Sequence, residues 1–403
     1  MSLALVLPER PAAARTETLV LRGATVYVGA DAAPLVDTTI IVSDGRIVAV
    51  GAAARTPAPA GALTLDCAGL TVVPGLWNAH VHFTEPVWND AAHAPAGPLS
   101  AHLRDMLTRW GFTTVVDTGS FLENTQALRR RIDAGELDGP RILTAGGPLY
   151  PPDGVPYYLK DSLPPDILRQ LAQPATPSAA RRAVEDLAAR GADLIKLFTG
   201  SWVVRGRVLP MPADIAAAAV AAAHRAGKPV YSHASNLAGT NVAIDAGVDV
   251  IAHAIEDTRG VDDALLTRMK ARHMAIVPTL GLFADSGADM ARLRAEIGRY
   301  AAMGGELLFG TDVGYITRYD TRLELEELTK AGLTTRQILD MLTRAPAARF
   351  GVARSRGRIA PGFAGDLAVL ARDPASNPSA FADVRYTIRA GRIIFRSVDE
   401  NTR

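Results

Sequence analysis

The chain has 403 residues, of which 48% are hydrophobic and 21% charged, and its formal net charge is +1. This length allows one large barrel or two domains, and the balanced charge gives no indication of a nucleic acid, an acidic partner or a membrane surface as a binding partner. The single cysteine, Cys67, excludes an intrachain disulfide framework and the cysteine-rich zinc motifs. Any metal must therefore be held by His, Asp, Glu or a lysine-derived oxygen.

The chain begins with MSLALVLPERPAAA, whose apolar run is too short to span a membrane and is poor as a signal peptide. We therefore expect a cytoplasmic protein. Short alternating strands separated by turns follow, from about residue 17 to 70, and the Asp44-Gly45 pair between two apolar runs predicts a hairpin.

After residue 75 the pattern changes to short apolar strands that alternate with longer helical segments. The eight predicted strands are WNAHVHF, TTVVDTG, RILTAGG, DLIKLF, PVYSHAS, DVIAHAI, AIVPTL and LLFGTD. Eight such units over roughly 280 residues match the length of a (β/α)8 barrel. Strand patterns return from about residue 354, so we predict a barrel over 73–350 and a small β-sandwich domain formed by 1–72 together with 351–403.

Two histidines, His80 and His82, stand one residue apart at the end of the first barrel strand. Residues i and i+2 of a strand point to the same side, so both imidazoles can converge on one point. Trp77 and Val81 would then face the outer helices. The pair alone is weak evidence for a metal, because two neighbouring imidazoles also occur as satisfied core residues.

Four further polar residues lie late in their own predicted strands: Lys196, His233, His253 and Asp312. Barrel enzymes keep their chemistry at these strand ends. Each residue also has a structural interpretation, namely core histidines, a snorkelling lysine and a helix N-cap. Those interpretations would have to coincide at the same end of five strands, whereas one shared metal site explains them all. A lysine near two dications loses its proton, and the neutral amine can react with carbon dioxide to form a carbamate.

In order and strand position, these six residues resemble the ligand set of the binuclear amidohydrolase superfamily, and the likeness extends over the flanking β-rich ends and the PGFAGDLAVL segment. The branch related to imidazolonepropionase, which contains prolidase-type dipeptidases, is the most similar. The resemblance implies two divalent ions, expected to be zinc. His80, His82 and Asp312 would hold one ion and His233 and His253 the other, with a carbamate on Lys196 as the bridge.

The resemblance further implies that a hydroxide shared by the metals attacks an amide or peptide carbonyl, while Asp312 carries the proton to the leaving group. An ester or lactone substrate is the main alternative. A deaminase is less favoured, because Asn236 stands where cytosine deaminase relatives carry Glu and because those relatives lack the lysine. Imidazolonepropionase itself is also less favoured, because it uses one metal and lacks the lysine. A scaffold without metal is the remaining alternative.

Candidate substrate-binding residues lie in the predicted loops after the strands. The set comprises His93, Tyr157, Tyr158, Trp202, Arg205 and Tyr315. Tyr157 or Tyr158 is a candidate for oxyanion stabilisation, and Arg205 could bind a substrate carboxylate through paired hydrogen bonds. Packing of the long loop is the alternative role for the two tyrosines. We expect an N-acyl amino acid or dipeptide-like substrate, no nucleic-acid or membrane partner, and a homo-oligomer.

Overall fold

The structure, a computed structural model, describes residues 18–397. The MSLALVLPERPAAA segment, on which the expectation about a signal peptide rests, lies outside the described residues. Five strands open the described chain, and they agree with the β-rich start that the sequence predicts. They are β1 (Leu19–Val26), β2 (Leu35–Ser43), β3 (Arg46–Ala52), β4 (Leu63–Asp66) and β5 (Thr71–Pro74). The Asp44-Gly45 turn joins β2 to β3 with a positive φ at both residues, as a tight hairpin requires.

Eight strands then alternate with helices, at the positions that the sequence predicts. The strands are β6 (Leu76–Val81), β7 (Phe112–Asp117), β8 (Arg141–Thr144), β9 (Ile195–Phe198), β12 (Val230–His233), β13 (Val250–Ala252), β14 (Ala275–Val277) and β15 (Glu306–Leu307). A hairpin of β10 (Gly200–Val204) and β11 (Arg207–Pro210) follows β9, where the sequence suggested an irregular loop.

The helices of this part of the chain lie between and after those strands. In chain order they are α1 (Ala96–Met106), α2 (Leu122–Asp133), α3 (Tyr157–Ser162), α4 (Pro165–Leu168), α5 (Pro177–Ala189), α6 (Ala213–Arg225), α7 (Leu237–Ala246), α8 (Asp263–Ala271), α9 (Leu280–Phe283), α10 (Met290–Ala302), α11 (Arg322–Lys330), α12 (Thr335–Leu342) and α13 (Arg344–Arg349). Within residues 18–397, no helix combines the length and the apolar character that crossing a membrane requires.

The eight strands pair in parallel in two groups, β6-β7-β8 and β9-β12-β13-β14-β15. Backbone hydrogen bonds connect the groups at both margins: the amide of Leu149 donates to Lys196, and the amide of Ala79 donates to Phe309. This α/β arrangement brings the carboxyl ends of the strands to one side, which is where the predicted site residues lie.

Side chains of the eight strands divide between two hydrophobic clusters. One cluster, which includes Val81, packs against the helices as predicted. The other consists mainly of strand residues and contains Trp77, whose ring centroid lies 6.0 Å from that of Phe350. Trp77 thus packs within this strand cluster and against the C-terminal end of α13, and not in the cluster that contains Val81. The pairing of β6 with β7 shifts register between Asn78 and Val81, so the strict alternation of sides does not hold along β6.

The chain ends on β16 (Leu367–Leu370), β17 (Val384–Arg389) and β18 (Arg392–Arg396). These strands join β1–β5 in one eight-stranded sheet, because β16 pairs with β5. Both β-rich ends thus belong to one sheet, as a joint domain requires. The two-layer sandwich and the domain boundaries stay predictions.

Candidate metal centre and active site

Three of the predicted ligands meet at one oxygen atom. His80 Nε2 lies 3.1 Å from Asp312 Oδ1, and His82 Nε2 lies 2.9 Å from the same oxygen. His80 and His82 stand at the end of β6, and Asp312 follows β15, whose extension lies beside β6: the Asp312 amide donates to the His80 carbonyl at 2.9 Å. The convergence that the His-x-His spacing predicts is therefore present.

The other two histidines continue the cluster. The ring centroid of His253, just after β13, lies 4.6 Å from that of His80 and 4.7 Å from that of His233, which ends β12. The remaining member, Lys196 on β9, is 2% exposed, and its Nζ lies 5.7 Å from the ring centroid of Phe198. Phe198 in turn stacks on His233 at 4.7 Å.

The donor atoms of this cluster fit a cation. One atom each from His80, His253 and Asp312 lies within 4.8 Å of the others, which is the spacing of a possible metal site. Both ring nitrogens of His80 are buried and lack a hydrogen bond of ordinary geometry among the described residues, although Nε2 lies within ion-pair distance of Asp312. A buried ring nitrogen that is poorly satisfied in this way is costly, and coordination of a divalent ion would satisfy it.

Burial and neighbouring charges set the protonation of the cluster. Burial, with the positive charge of Lys196, lowers the pKa of His80 and of His233 to about 3, and burial also lowers the pKa of Lys196 to about 7. Burial would raise the pKa of Asp312, but His80 and the hydrogen bonds of the imidazoles hold it well below its ordinary value. The cluster thus offers neutral imidazoles, a readily neutralised amine and a carboxylate, the forms in which these groups bind metals.

Several non-glycine residues of the site have a left-handed backbone: φ is 60° at Ser235, 76° at His253, 45° at Thr279 and 61° at Asp312. Such conformations are strained and are found mainly where the surrounding structure imposes them, often at functional sites. His253 and Asp312 each follow a strand, and the left-handed turn of the backbone at these residues directs their side chains to the cluster.

Hydrogen bonds from residues that the sequence analysis did not select orient the imidazoles. His82 Nδ1 lies 2.8 Å from the Gly119 carbonyl oxygen, and His253 Nδ1 lies 2.8 Å from Thr279 Oγ1. Buried Asp117 fixes the Gly119 segment by accepting hydrogen bonds from the Gly119 amide and the Ser120 hydroxyl, at 3.2 and 2.6 Å. Partners of this kind fix ring orientation in metal sites. Asp117 lies late in a predicted strand, and that position was the feature of the sequence that could have indicated a residue of the site.

Most of the predicted substrate-binding residues contact other residues of the loops, and His93 does not join them. Tyr158 lies between Tyr157 and Tyr315, with ring centroids 5.6 and 5.8 Å away, and the Arg205 guanidinium lies 5.0 Å from the Tyr157 ring centroid. By contrast, the His93 side chain is 83% exposed and pairs with Asp90 at 2.9 Å. The structure does not bring His93 into the cluster, because the turn that carries it faces solvent.

Trp202 contacts a carboxylate that the sequence analysis did not select. Its indole Nε1 donates to Glu256 Oε2 at 2.7 Å. Glu256 follows His253 by three residues, and a carboxylate this close to a strand-end histidine was the signal in the sequence. Asn236 accepts a hydrogen bond from the Gly239 amide and thereby caps α7, which gives this residue a structural role.

The profile of the Amidohydrolase family matches residues 71–394. The chain belongs to the amidohydrolase family. It is 28% identical to an uncharacterized protein of Mycobacterium tuberculosis, over 94% of this chain and 98% of the relative. The crystal structure of a putative prolidase from Bifidobacterium longum is also 28% identical, with a TM-score of 0.77 over 94% of this chain and 95% of that one.

A Xaa-Pro dipeptidase with bound methionine in its active site shares the fold, with a TM-score of 0.80 at 21% identity over 94% of this chain and 100% of that one. The predicted resemblance to the amidohydrolases, with prolidase-like relatives, is confirmed. Family membership makes this amidohydrolase a hydrolase that acts on carbon–nitrogen bonds.

Proposed function

We propose that this amidohydrolase uses two divalent metal ions, zinc in the first instance, to hydrolyse the amide or peptide bond of an N-acyl amino acid or dipeptide-like small molecule. The observation that carries the proposal is the convergence of His80, His253 and Asp312 donor atoms within 4.8 Å. The eight parallel strands would form a closed (β/α)8 barrel over 73–350. A β-sandwich of 1–72 and 351–403 would flank this barrel.

The six clustered side chains would hold the two ions. His80, His82 and Asp312 would hold the first, and His233 and His253 would hold the second. The neutral amine of Lys196 would add to carbon dioxide and lose a proton, and the resulting carbamate would supply a further carboxylate to the ions. Burial of Lys196 and its lowered pKa of about 7 support this step, because only the neutral amine reacts.

When bound, the ions supply Lewis-acid chemistry: they lower the pKa of water and polarise a carbonyl oxygen. Asp312 accepts the proton of the attacking water and then donates it to the departing amine. Tyr158 stays a phenol, because burial raises its pKa well above the ordinary value, and it can donate a hydrogen bond to the developing oxyanion. Arg205 is the candidate for binding a substrate carboxylate.

The proposal is tested by metal analysis of the purified protein, followed by a substrate screen of the zinc-loaded enzyme. We expect two metal equivalents and activity towards members of a panel of dipeptides and N-acyl amino acids, with lactones and esters included for comparison. Activity restricted to lactones would contradict the amide assignment and favour the alternative reaction on the same site. A protein that binds no metal would favour the scaffold alternative. Cytoplasmic location and homo-oligomeric assembly remain predictions from the sequence.

A further inference from the structure

Glu256 lies beside the proposed active site, and no positively charged side chain in the described part of the chain pairs with its carboxylate. Its Oε2 accepts the hydrogen bond from Trp202, and its Oε1 has no hydrogen-bond or ion-pair partner within residues 18–397. The adjacent Asp257 differs, because the Arg259 guanidinium donates to both of its carboxylate oxygens, at 2.7 and 2.6 Å. Glu256 is therefore the member of this acidic pair that is free to bind a cation.

Aromatic rings lie in the segments next to Glu256. Trp202 contacts the carboxylate directly, and the hairpin that carries Trp202 also carries Arg205, whose guanidinium lies 5.0 Å from the Tyr157 ring centroid. Tyr158 lies between Tyr157 and Tyr315, at 5.6 and 5.8 Å. Burial raises the pKa of the Tyr158 and Tyr315 phenols, and the negative charges of Asp312 and Glu256 raise it further. The same two tyrosines thus lie near the proposed metal centre and near Glu256. Tyr315 is 48% exposed, so this region opens to solvent.

The segments that carry Tyr158, Trp202 and Glu256 are tied to one another. Ser201 Oγ donates to the Gly154 carbonyl at 2.5 Å, Ser235 Oγ donates to the Gly200 carbonyl at 2.9 Å, and the Asp257 amide donates to the Ser235 carbonyl at 2.9 Å. The segments after β8, β9, β12 and β13 therefore form one connected frame. A ligand that binds there meets a prearranged carboxylate and prearranged rings, which reduces the entropic cost of binding.

We propose that Glu256, Trp202, Tyr158 and Tyr315 form a subsite for an organic cation, so that the preferred substrate carries an ammonium or guanidinium group remote from the bond that is cleaved. A carboxylate supplies charge complementarity, and the faces of aromatic rings attract cations. The statement about the cleaved bond rests on the proposed function. The statement about cation binding does not.

The test uses probes that contain no hydrolysable bond. Isothermal titration calorimetry of the zinc-loaded protein with n-hexylammonium and with n-hexanol compares a cation with a neutral molecule of similar size. We expect the cation to bind about ten-fold more tightly, and we expect Glu256→Gln to abolish this preference. The glutamine retains an acceptor for Trp202 and should leave the melting temperature unchanged. Asp257→Asn is the matched control and should retain the preference, because Arg259 already neutralises Asp257.

Equal binding of the two probes to the unmodified protein would overturn the inference, as would a preference that survives in Glu256→Gln. Hydrolysis is scored separately, with amides that carry a terminal amine and with their neutral isosteres. A cation preference in calorimetry without hydrolysis of any amide leaves the subsite standing and contradicts the proposed function. Hydrolysis of amides without a cation preference in calorimetry supports the proposed function and contradicts the subsite.

Discussion

Lys196 is the residue whose environment deviates most from what its side chain ordinarily requires. A lysine that is 2% exposed has lost most of its hydration. Within the described chain its Nζ makes no hydrogen bond or ion pair, and it lies 5.7 Å from the ring centroid of Phe198. Burial lowers its pKa to about 7. The carbamate proposed above would convert this unpartnered amine into a carboxylate with two cations to bind.

Lys196→Ala should therefore remove the bridge and leave the rest of the cluster in place. We expect metal content to fall below two equivalents and amide hydrolysis to fall on the order of a hundred-fold. Formate or acetate should restore part of both, because a small carboxylate can occupy the vacated position. Metal analysis and initial rates, with and without the added acid, measure the effect. Full activity of the variant without any acid would rule out the bridging role.

The sequence predicts individual residues of the site well when they lie at strand ends. His80, His82, His233, His253, Lys196 and Asp312 were selected in this way, and the structure brings them together. Glu256 is not among the residues predicted from the sequence: its position three residues after His253 is a signal, but its contact with Trp202 depends on the hairpin after β9. His93 was selected but lies in solvent, because loop composition does not determine which way a loop folds.

At the scale of secondary-structure elements, outer helices hold the segments that carry the left-handed residues. Glu296 on α10 accepts a hydrogen bond from the Ile255 amide at 3.1 Å, two residues beyond His253. Glu324 on α11 accepts one from the Gly281 amide at 2.6 Å, two residues beyond Thr279. Burial raises the pKa of each glutamate to about 8. Each helix is thus attached to a strand-end segment through a carboxyl group that favours its protonated form.

This arrangement gives the stability a defined dependence on pH. Glu296 has a pKa of about 8 in the folded chain against an ordinary value of 4.5, so its contribution to stability is complete below about pH 4.5 and is lost as pH rises towards 8. The loss is at most about 1.4 kcal/mol per pH unit. Glu296→Gln keeps the acceptor but cannot ionise. The difference between the melting temperature of Glu296→Gln and that of the unmodified protein should therefore shift in favour of the variant as pH rises from 5 to 8.

Thermal unfolding at several pH values measures this difference. Glu185→Gln is a suitable control, because the Glu185 side chain on α5 is 54% exposed and its 3.9 Å ion pair with Arg181 lies at the surface, where such pairs contribute little to stability. Melting curves of Glu296→Gln that run parallel to those of the unmodified protein would show that Glu296 holds the same number of protons in the folded and unfolded chains.

At the scale of the whole molecule, the candidate ligands come from five strands that lie far apart in the chain, from β6 to the segment after β15. The proposed metal centre would link both groups of parallel strands. A metal that binds the folded chain in preference to the unfolded one would stabilise the fold, by about 2.7 kcal/mol for one site when free metal exceeds the dissociation constant a hundred-fold.

Removal of metal with a chelator should lower the melting temperature, and zinc added back should restore it. His80→Asn, which removes a central ligand, should show a much smaller difference between the two states. Differential scanning calorimetry of both proteins measures the effect. Equal melting temperatures with and without chelator would contradict a metal centre that spans these strands.

The sequence by itself determined the order of strands and helices and the two β-rich ends, because hydrophobic periodicity and turn residues act locally. It also determined which histidines, lysine and aspartate stand at strand ends. The tertiary structure decided the rest. The register shift in β6 placed Trp77 and Val81 in different clusters, the left-handed backbone at His253 and Asp312 set the direction of both side chains, and Glu256 came to lie beside Trp202. Each of these depends on contacts between residues distant in the chain, and local pattern carries no information about such contacts.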